Sequence, residues 1–260
     1  MKVGFVQFSP FFGDKHKNFD TVDKLLIDIT ADVIVVPELF NTGYLFLSKE
    51  ELASLAETAK GETFDFMHSL AKEKKCAFAY GFAEKDNDSY YNSMAFISPD
   101  GLVALYRKSH LFFEEKKFFH PGDTGFQVFR YKDVTWGMLI CIDWIFPEAM
   151  RTLAVKGAQV VLHPANLIMP YCPDAMVTRA LENRVFVVLA DRTGVDRRNE
   201  KELRFIGRSE IVAPNGDILI RAGDEECVKV VEIDPDLSLN KKINEYNDIF
   251  VDRREDLYFK

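Results

Sequence analysis

Cysteine is scarce in this 260-residue chain. The four residues Cys76, Cys141, Cys172 and Cys227 are scattered without CxxC spacing, which argues against a disulfide framework or a thiolate zinc site. The five histidines (His16, His68, His110, His120 and His163) show no metal-ligand spacing such as HExxH, so no metal is expected. No apolar run approaches the ~18 residues that span a bilayer. Basic blocks are missing too; with a net charge of −8, nucleic acid is not expected as the main partner. The opening segment, Lys2-Val-Gly-Phe-Val-Gln-Phe8, reads as a strand and carries no signal-peptide pattern. These absences predict a reduced, cytoplasmic, metal-free globular protein.

What is present is a long series of strand-like segments: 3–8, 32–37, 76–83, 93–98, 102–107, 135–141, 158–163, 185–190, 208–213, 217–221 and 227–233. Several are continuous apolar runs, such as Val33-Ile-Val-Val36 and Val185-Phe-Val-Val-Leu189, the pattern of strands buried on both faces. Helical periodicity lies between them. Residues 17–30 align Phe19, Val22, Leu25, Leu26 and Ile29; Ser48 and Glu51 predict a capping box opening 49–59; and Phe64, Met67, Leu70 and Ala71 line a face after Thr63. Pro147 and Pro173 each suit the first position of a helix, and Gly157 the stop of the first.

A weak internal repeat runs through these elements. Val33-Ile-Val-Val-Pro37-Glu-Leu-Phe resembles Val160-Val-Leu-His-Pro164-Ala-Asn-Leu, and Ser93-Met-Ala-Phe-Ile-Ser-Pro99-Asp-Gly101 resembles Ser209-Glu-Ile-Val-Ala-Pro214-Asn-Gly216. Two similar halves, each a sheet with helices on one face, would bury every apolar strand as a four-layer α/β sandwich, helix–sheet–sheet–helix. With no Gly/Ser/Pro-rich linker, residues 1–260 are expected to form a single domain. The stretch 240–260 carries Ile243, Tyr246, Ile249, Phe250, Leu257 and Tyr258 among its charges, a tail expected to pack on a neighbouring subunit of a homodimer or larger assembly.

Three reactive groups close three of the strand-like runs: Glu38 after Asp32-Val-Ile-Val-Val-Pro37, Lys108 after Leu102-Val-Ala-Leu-Tyr-Arg107, and Cys141 at the end of Trp136-Gly-Met-Leu-Ile. A buried cysteine is ordinarily an inert small hydrophobe, and Glu38 or Lys108 alone would pass for a loop or rim charge. Strand ends of an open α/β layer, however, share one rim where ligands bind. There a carboxylate can deprotonate a thiol, and an ammonium can favour the thiolate and then hold the charge of a tetrahedral intermediate. The backbone N–H of Ile142 would be a second oxyanion donor. Cys76, Cys172 and Cys227 lack such neighbours and read as structural.

These residues also sit in motifs. Pro37-Glu38-Leu-Phe-Asn-Thr-Gly43-Tyr44, Tyr106-Arg-Lys108-Ser-His110-Leu, Glu115-Lys-Lys-Phe-Phe-His-Pro121-Gly-Asp123 and Cys141-Ile-Asp143-Trp-Ile-Phe-Pro147-Glu148 resemble the nitrilase superfamily of carbon–nitrogen hydrolases. His163-Pro-Ala-Asn166 and Arg179-Ala-Leu-Glu182-Asn183-Arg184 resemble its later motifs, and the Asp-Trp pair after the cysteine is similar to small archaeal-type nitrilases and amidases. The resemblance spans nearly the whole chain. It implies an αββα sandwich and a cofactor-free triad in which Glu38 is the general base, Lys108 the stabilising cation and Cys141 the nucleophile. Glu115 matches the family's second glutamate, which supports the lysine or positions substrate; its plain alternative is a solvated charge in Glu114-Glu-Lys-Lys117. Tyr44, His110, Trp144, Asn166 and Met169 are candidates for the substrate wall, each equally open to a packing or anchoring role. Arg179, Glu182 and Asn183 read as a salt-bridged helix face supporting the site.

The expected activity is hydrolysis of a small linear amide through a Cys141 thioester, releasing ammonia. Nitrile hydrolysis and N-carbamoyl hydrolysis share the nucleophile and stay open. A catalytically silent binding protein with the same fold is disfavoured by the intact Glu38, Lys108 and Cys141, and a thiol redox protein by the lack of a second cysteine near Cys141 in sequence. A pocket lined by Phe, Tyr and Trp, with few fixed charges beyond the triad, suits small neutral substrates.

Overall fold

Alternation within the apolar strands decides the layering. In a computed structural model, which describes residues 1–258, Val33 and Val35 of one central strand enter the core between two sheets, while Ile34 and Val36 enter a second core beneath helices. Both faces are buried, so the run needs no polar alternation.

The first sheet has the order β14 (Cys227–Glu232), β1 (Lys2–Gln7), β2 (Val33–Val36), β3 (Ala77–Asp86), β4 (Ser89–Ser98) and β5 (Gly101–Arg107). The second has β6 (Val128–Tyr131), β7 (Val134–Met138), β8 (Val160–Ala165), β9 (Phe186–Asp191), β12 (Glu210–Val212) and β13 (Ile218–Arg221). Pairing follows one pattern in both: an antiparallel edge, two parallel pairs, then two antiparallel pairs. The repeated segments fall on equivalent strands, β2 with β8 and β4 with β12. These are the two similar halves.

Helices α1 (Lys15–Leu25) and α3 (Glu62–Lys74) cover the outer face of the first sheet through Phe19, Val22, Met67 and Leu70. Helices α5 (Pro147–Val155) and α6 (Tyr171–Asn183) cover the second through Met150, Leu153, Met176 and Ala180. The result is an αββα sandwich. Two short helices, α2 (Lys49–Leu55) and α4 (Glu115–Phe118), and a two-stranded ribbon of β10 (Thr193–Arg198) and β11 (Lys201–Ile206) lie outside the layers.

All eleven predicted strands are present, but β6, β10 and β11 carry no long apolar run and had no sequence signal. Helix α6 begins at Tyr171, ahead of Pro173; a proline in the first turn removes an N–H that has no helical partner. Helices α1 and α2 end early, the second because Ala56 turns extended and Glu57 bridges to Glu84. The predicted strand 135–141 is also shorter. It ends at Met138, and Cys141 opens a 3-10 turn, Cys141–Ile145. In the tail, Phe250 lies under the Arg151 guanidinium of α5, whereas Ile243, Tyr246, Leu257 and Tyr258 are exposed; Phe259 and Lys260, the end of that predicted tail, lie outside the described residues.

Candidate active site

The parallel core of each sheet delivers its strand ends to one rim. Strand β5 runs the same way as β2 and β3, so Glu38 and Lys108 emerge together, and Cys141 emerges beyond β7 on the facing sheet. Backbone strain marks two of these exits. Leu39, next to Glu38, has φ +50° and Cys141 has φ +45°, conformations that cost a non-glycine residue on the order of 1–3 kcal/mol and persist only where their surroundings enforce them. At Glu38 the enforcement is close packing: a Cβ on Gly81 would lie 2.5 Å from Glu38 Cα, so only glycine fits there.

At Cys141 the enforcement is polar. The buried Asp143 carboxylate accepts from Ile140 N (3.0 Å) and Tyr106 OH (2.7 Å) through one oxygen, and from His110 N (3.2 Å) through the other. It thereby ties the turn to the segment that carries Lys108. His163 Nε2 bonds the Cys141 carbonyl at 2.9 Å, so this nitrogen holds the ring proton. Burial pulls His163 down to about 4, and the imidazole is neutral at pH 7.

Lys108 is buried and donates to Glu38 Oε1 at 2.7 Å and Glu115 Oε1 at 2.8 Å. Glu115 is buried as well, not a solvated charge: its Oε1 also accepts from Tyr44 OH (2.7 Å) and its Oε2 from Phe112 N (3.1 Å). Asn92, on β4, donates to Glu38 Oε1 at 2.6 Å, and its backbone carbonyl accepts from Lys108 N at 2.8 Å. With Oε1 so occupied, Glu38 Oε2 is buried with no hydrogen-bond partner among the described residues. Asn166 spans the two sheets, donating to the Glu38 carbonyl at 3.0 Å while its own backbone carbonyl lies 3.9 Å from Cys141 Sγ. Asp191 in turn accepts from Leu167 N at 2.8 Å, anchoring that loop.

Charge and burial compete within this cluster. Burial pushes the Glu38 carboxyl up against the pull of the Lys108 ammonium, and the Glu115 charge adds to the rise. Burial works against the ammonium of Lys108, yet Glu115, Glu38 and Cys141 together hold it above its ordinary value, so it stays cationic. The Cys141 thiol is pushed well up by burial and by Glu38, with Lys108 opposing. The thiol therefore keeps its proton at neutral pH, and the Glu38 carboxyl beside it holds a proton more tightly than an ordinary carboxyl does.

Cys141, Ile142, Trp144, Asn166 and Met169 line one small cavity with Phe112, Leu167 and Ile168. Its space is about 20 Å³, room for a water-sized group. Tyr44 and Glu115 border an adjoining cavity of about 270 Å³ that shares Phe112 and Ile168. His110 lines neither. Its Nδ1 meets Asp143 at 2.7 Å and its ring stacks on Phe146 at 3.7 Å, a geometry that braces the turn.

Residues 2–239 match the family described as carbon-nitrogen hydrolase. The chain belongs to the carbon–nitrogen hydrolase family. A nitrilase of Pyrococcus abyssi is 47% identical over the full length of both chains. An N-carbamoylputrescine amidase of Solanum lycopersicum is 37% identical, covering 88% of this chain and 83% of its own. Among solved structures, a mutant of the Nesterenkonia AN1 amidase from the nitrilase superfamily superposes with a TM-score of 0.81 at 25% identity, over 99% of this chain and 95% of the other. As a carbon–nitrogen hydrolase the protein is an enzyme acting on non-peptide C–N bonds. Its site includes residues to which sequence reading gave no role: Asn92, which has no motif around it, and Asp143 and His163, whose signal was a polar group inside an apolar run.

Proposed function

We propose that this hydrolase cleaves small primary amides to carboxylic acid and ammonia, with Cys141 as nucleophile, Glu38 as base, and Lys108 and Glu115 as the charged frame. The observation that carries the reading is one buried ammonium shared by two carboxylates at the rim where Cys141 stands. Glu38 Oε2, the oxygen without a partner, takes the thiol proton. The thiolate adds to the amide carbon, and the carbonyl oxygen takes up the negative charge. Lys108 and the Ile142 N–H hold that charge; as an early amide of the 3-10 turn, Ile142 N has no partner within it. Collapse breaks the C–N bond, and the departing nitrogen takes the proton from Glu38. Water activated by Glu38 then hydrolyses the thioester and frees the acid. Cys141, Ile142, Trp144, Asn166 and Met169 would wall the reacting carbon, with Tyr44 fixing Glu115.

The 47% identity to the Pyrococcus nitrilase favours a second reading, nitrile hydrolysis, in which the thiolate adds to the nitrile carbon and the thioimidate takes up water before ammonia leaves. A carbamoyl substrate is the third. Assaying ammonia release from the primary amides acetamide to hexanamide, from the matching nitriles and from N-carbamoyl compounds ranks them. The amides are expected to turn over fastest, and no ammonia from any would sink the hydrolase mechanism. We further propose a single domain over 1–260, a reducing cytoplasmic setting consistent with four unpaired cysteines, and a homodimer covering the exposed Ile243, Tyr246 and Leu257 of the tail. Sedimentation showing only monomer would contradict the dimer.

A further inference from the structure

The space directly at Cys141, about 20 Å³, has room for only a water-sized group, whereas the adjoining cavity of about 270 Å³ shares Phe112 and Ile168 with it. In the proposed reaction the leaving side is a single nitrogen, so anything filling the larger cavity belongs to the acyl side of the substrate. Its walls are mainly apolar: Phe46, Phe118, Phe119 and Leu203 join Phe112 and Ile168. At its lip stands Phe113, 73% exposed and held at φ +48°, an exposed, strained aromatic that folding alone does not require.

The charged side chains around the cavity are already paired. Glu115 is filled by Lys108, Tyr44 and Phe112 N; Glu114 accepts from Lys117 at 2.7 Å and Lys201 at 2.5 Å; and Glu202 accepts from Arg197 at 2.8 Å. A cationic substrate end would lose its hydration here with no unpaired carboxylate to receive it. We propose that this cavity is an acyl-chain subsite selecting neutral, apolar acyl groups of several carbons over both very short acyl groups and acyl chains ending in an ammonium. The subsite rests on the hydrolase reading above.

Each methylene moved from water to such a wall improves binding by ~0.8 kcal/mol, about fourfold. The test is kcat/KM for linear primary amides from acetamide to hexanamide, and for 5-aminopentanamide, in which an ammonium replaces the terminal methyl of hexanamide. The same series of nitriles serves if nitriles are the better substrates. The subsite predicts a rise of about fourfold per added methylene, with the amine at least tenfold below its neutral counterpart. In Leu203→Trp, which fills the cavity from the ribbon side, the six-carbon to two-carbon ratio should fall at least tenfold. Turnover with a flat or falling chain-length series, or an amine as good as hexanamide, would overturn the subsite and leave the hydrolase reading intact. Turnover of no amide or nitrile would overturn both. Should Leu203→Trp fail to fold, the wild-type series decides alone.

Discussion

Asn92→Leu removes one hydrogen bond from the base and little else. In the wild-type protein, Asn92 Nδ2 and Lys108 Nζ both hold Glu38 Oε1, at 2.6 and 2.7 Å, which leaves Oε2 for the thiol. A hydrogen bond to a buried charged group contributes ~1.5–3 kcal/mol. If that energy is what orients the carboxylate, its loss should lower kcat on the order of 10- to 100-fold. Stability should barely move. Lys108 still satisfies Oε1, and Asn92 Oδ1 already lacks a partner, so leucine removes an orphan acceptor as well as the donor, a net change of about 1 kcal/mol or less. The pH profile gives a separate sign. The Asn92 bond holds the Glu38 pKa down; without it the value rises, and since the base must be ionised, the acid limb of kcat/KM moves to higher pH. The assay is ammonia release across pH, with a urea melt on the same sample. A folded variant with wild-type kcat and an unmoved acid limb would refute the positioning role.

Other perturbations give outcomes of opposite sign. Glu115 raises the Glu38 pKa through its charge, so Glu115→Gln should move the acid limb to lower pH while lowering kcat; an upward shift would contradict the shared-ammonium geometry. His163 is neutral in the folded protein down to about 4, while an unfolded histidine protonates near its ordinary value of 6.5. Its contribution is therefore present above that pH and lost as pH falls toward about 4. Roughly 3 kcal/mol of stability is at stake, so wild type should lose about that much more than His163→Gln between pH 7 and pH 4 in chemical denaturation; parallel losses would refute the assignment.

Much of this architecture was legible in the sequence because its strands are buried on both faces, and an unbroken apolar run as short as Val33–Val36 suits a strand covered on both sides better than a half-exposed one. The convergence of Glu38, Lys108 and Cys141 on one rim was legible because charged or reactive groups end such runs. What stayed hidden was set by tertiary contact. The β10–β11 ribbon is polar because it projects from the layers, so it shows no apolar pattern. The curl that puts Cys141 three residues beyond β7 depends on Asp143 and His163, partners assembled from β5 and β8. His110 could be marked as near the site from its motif, but whether it faced substrate or Asp143 required the fold. Asn92, in the unremarkable segment Tyr90-Tyr-Asn92-Ser-Met, gained its role only when β4 paired beside β3 and brought it to Glu38.

The proposed mechanism passes through a covalent acyl intermediate on Cys141. Intact-protein and peptide mass spectrometry of enzyme quenched in acid during amide turnover tests it directly. The mass of the acyl group is expected on the peptide bearing Cys141 and is expected to be absent in Cys141→Ala, which should release no ammonia. Undiminished turnover in Cys141→Ala, or an adduct on Cys76, Cys172 or Cys227 instead, would contradict it.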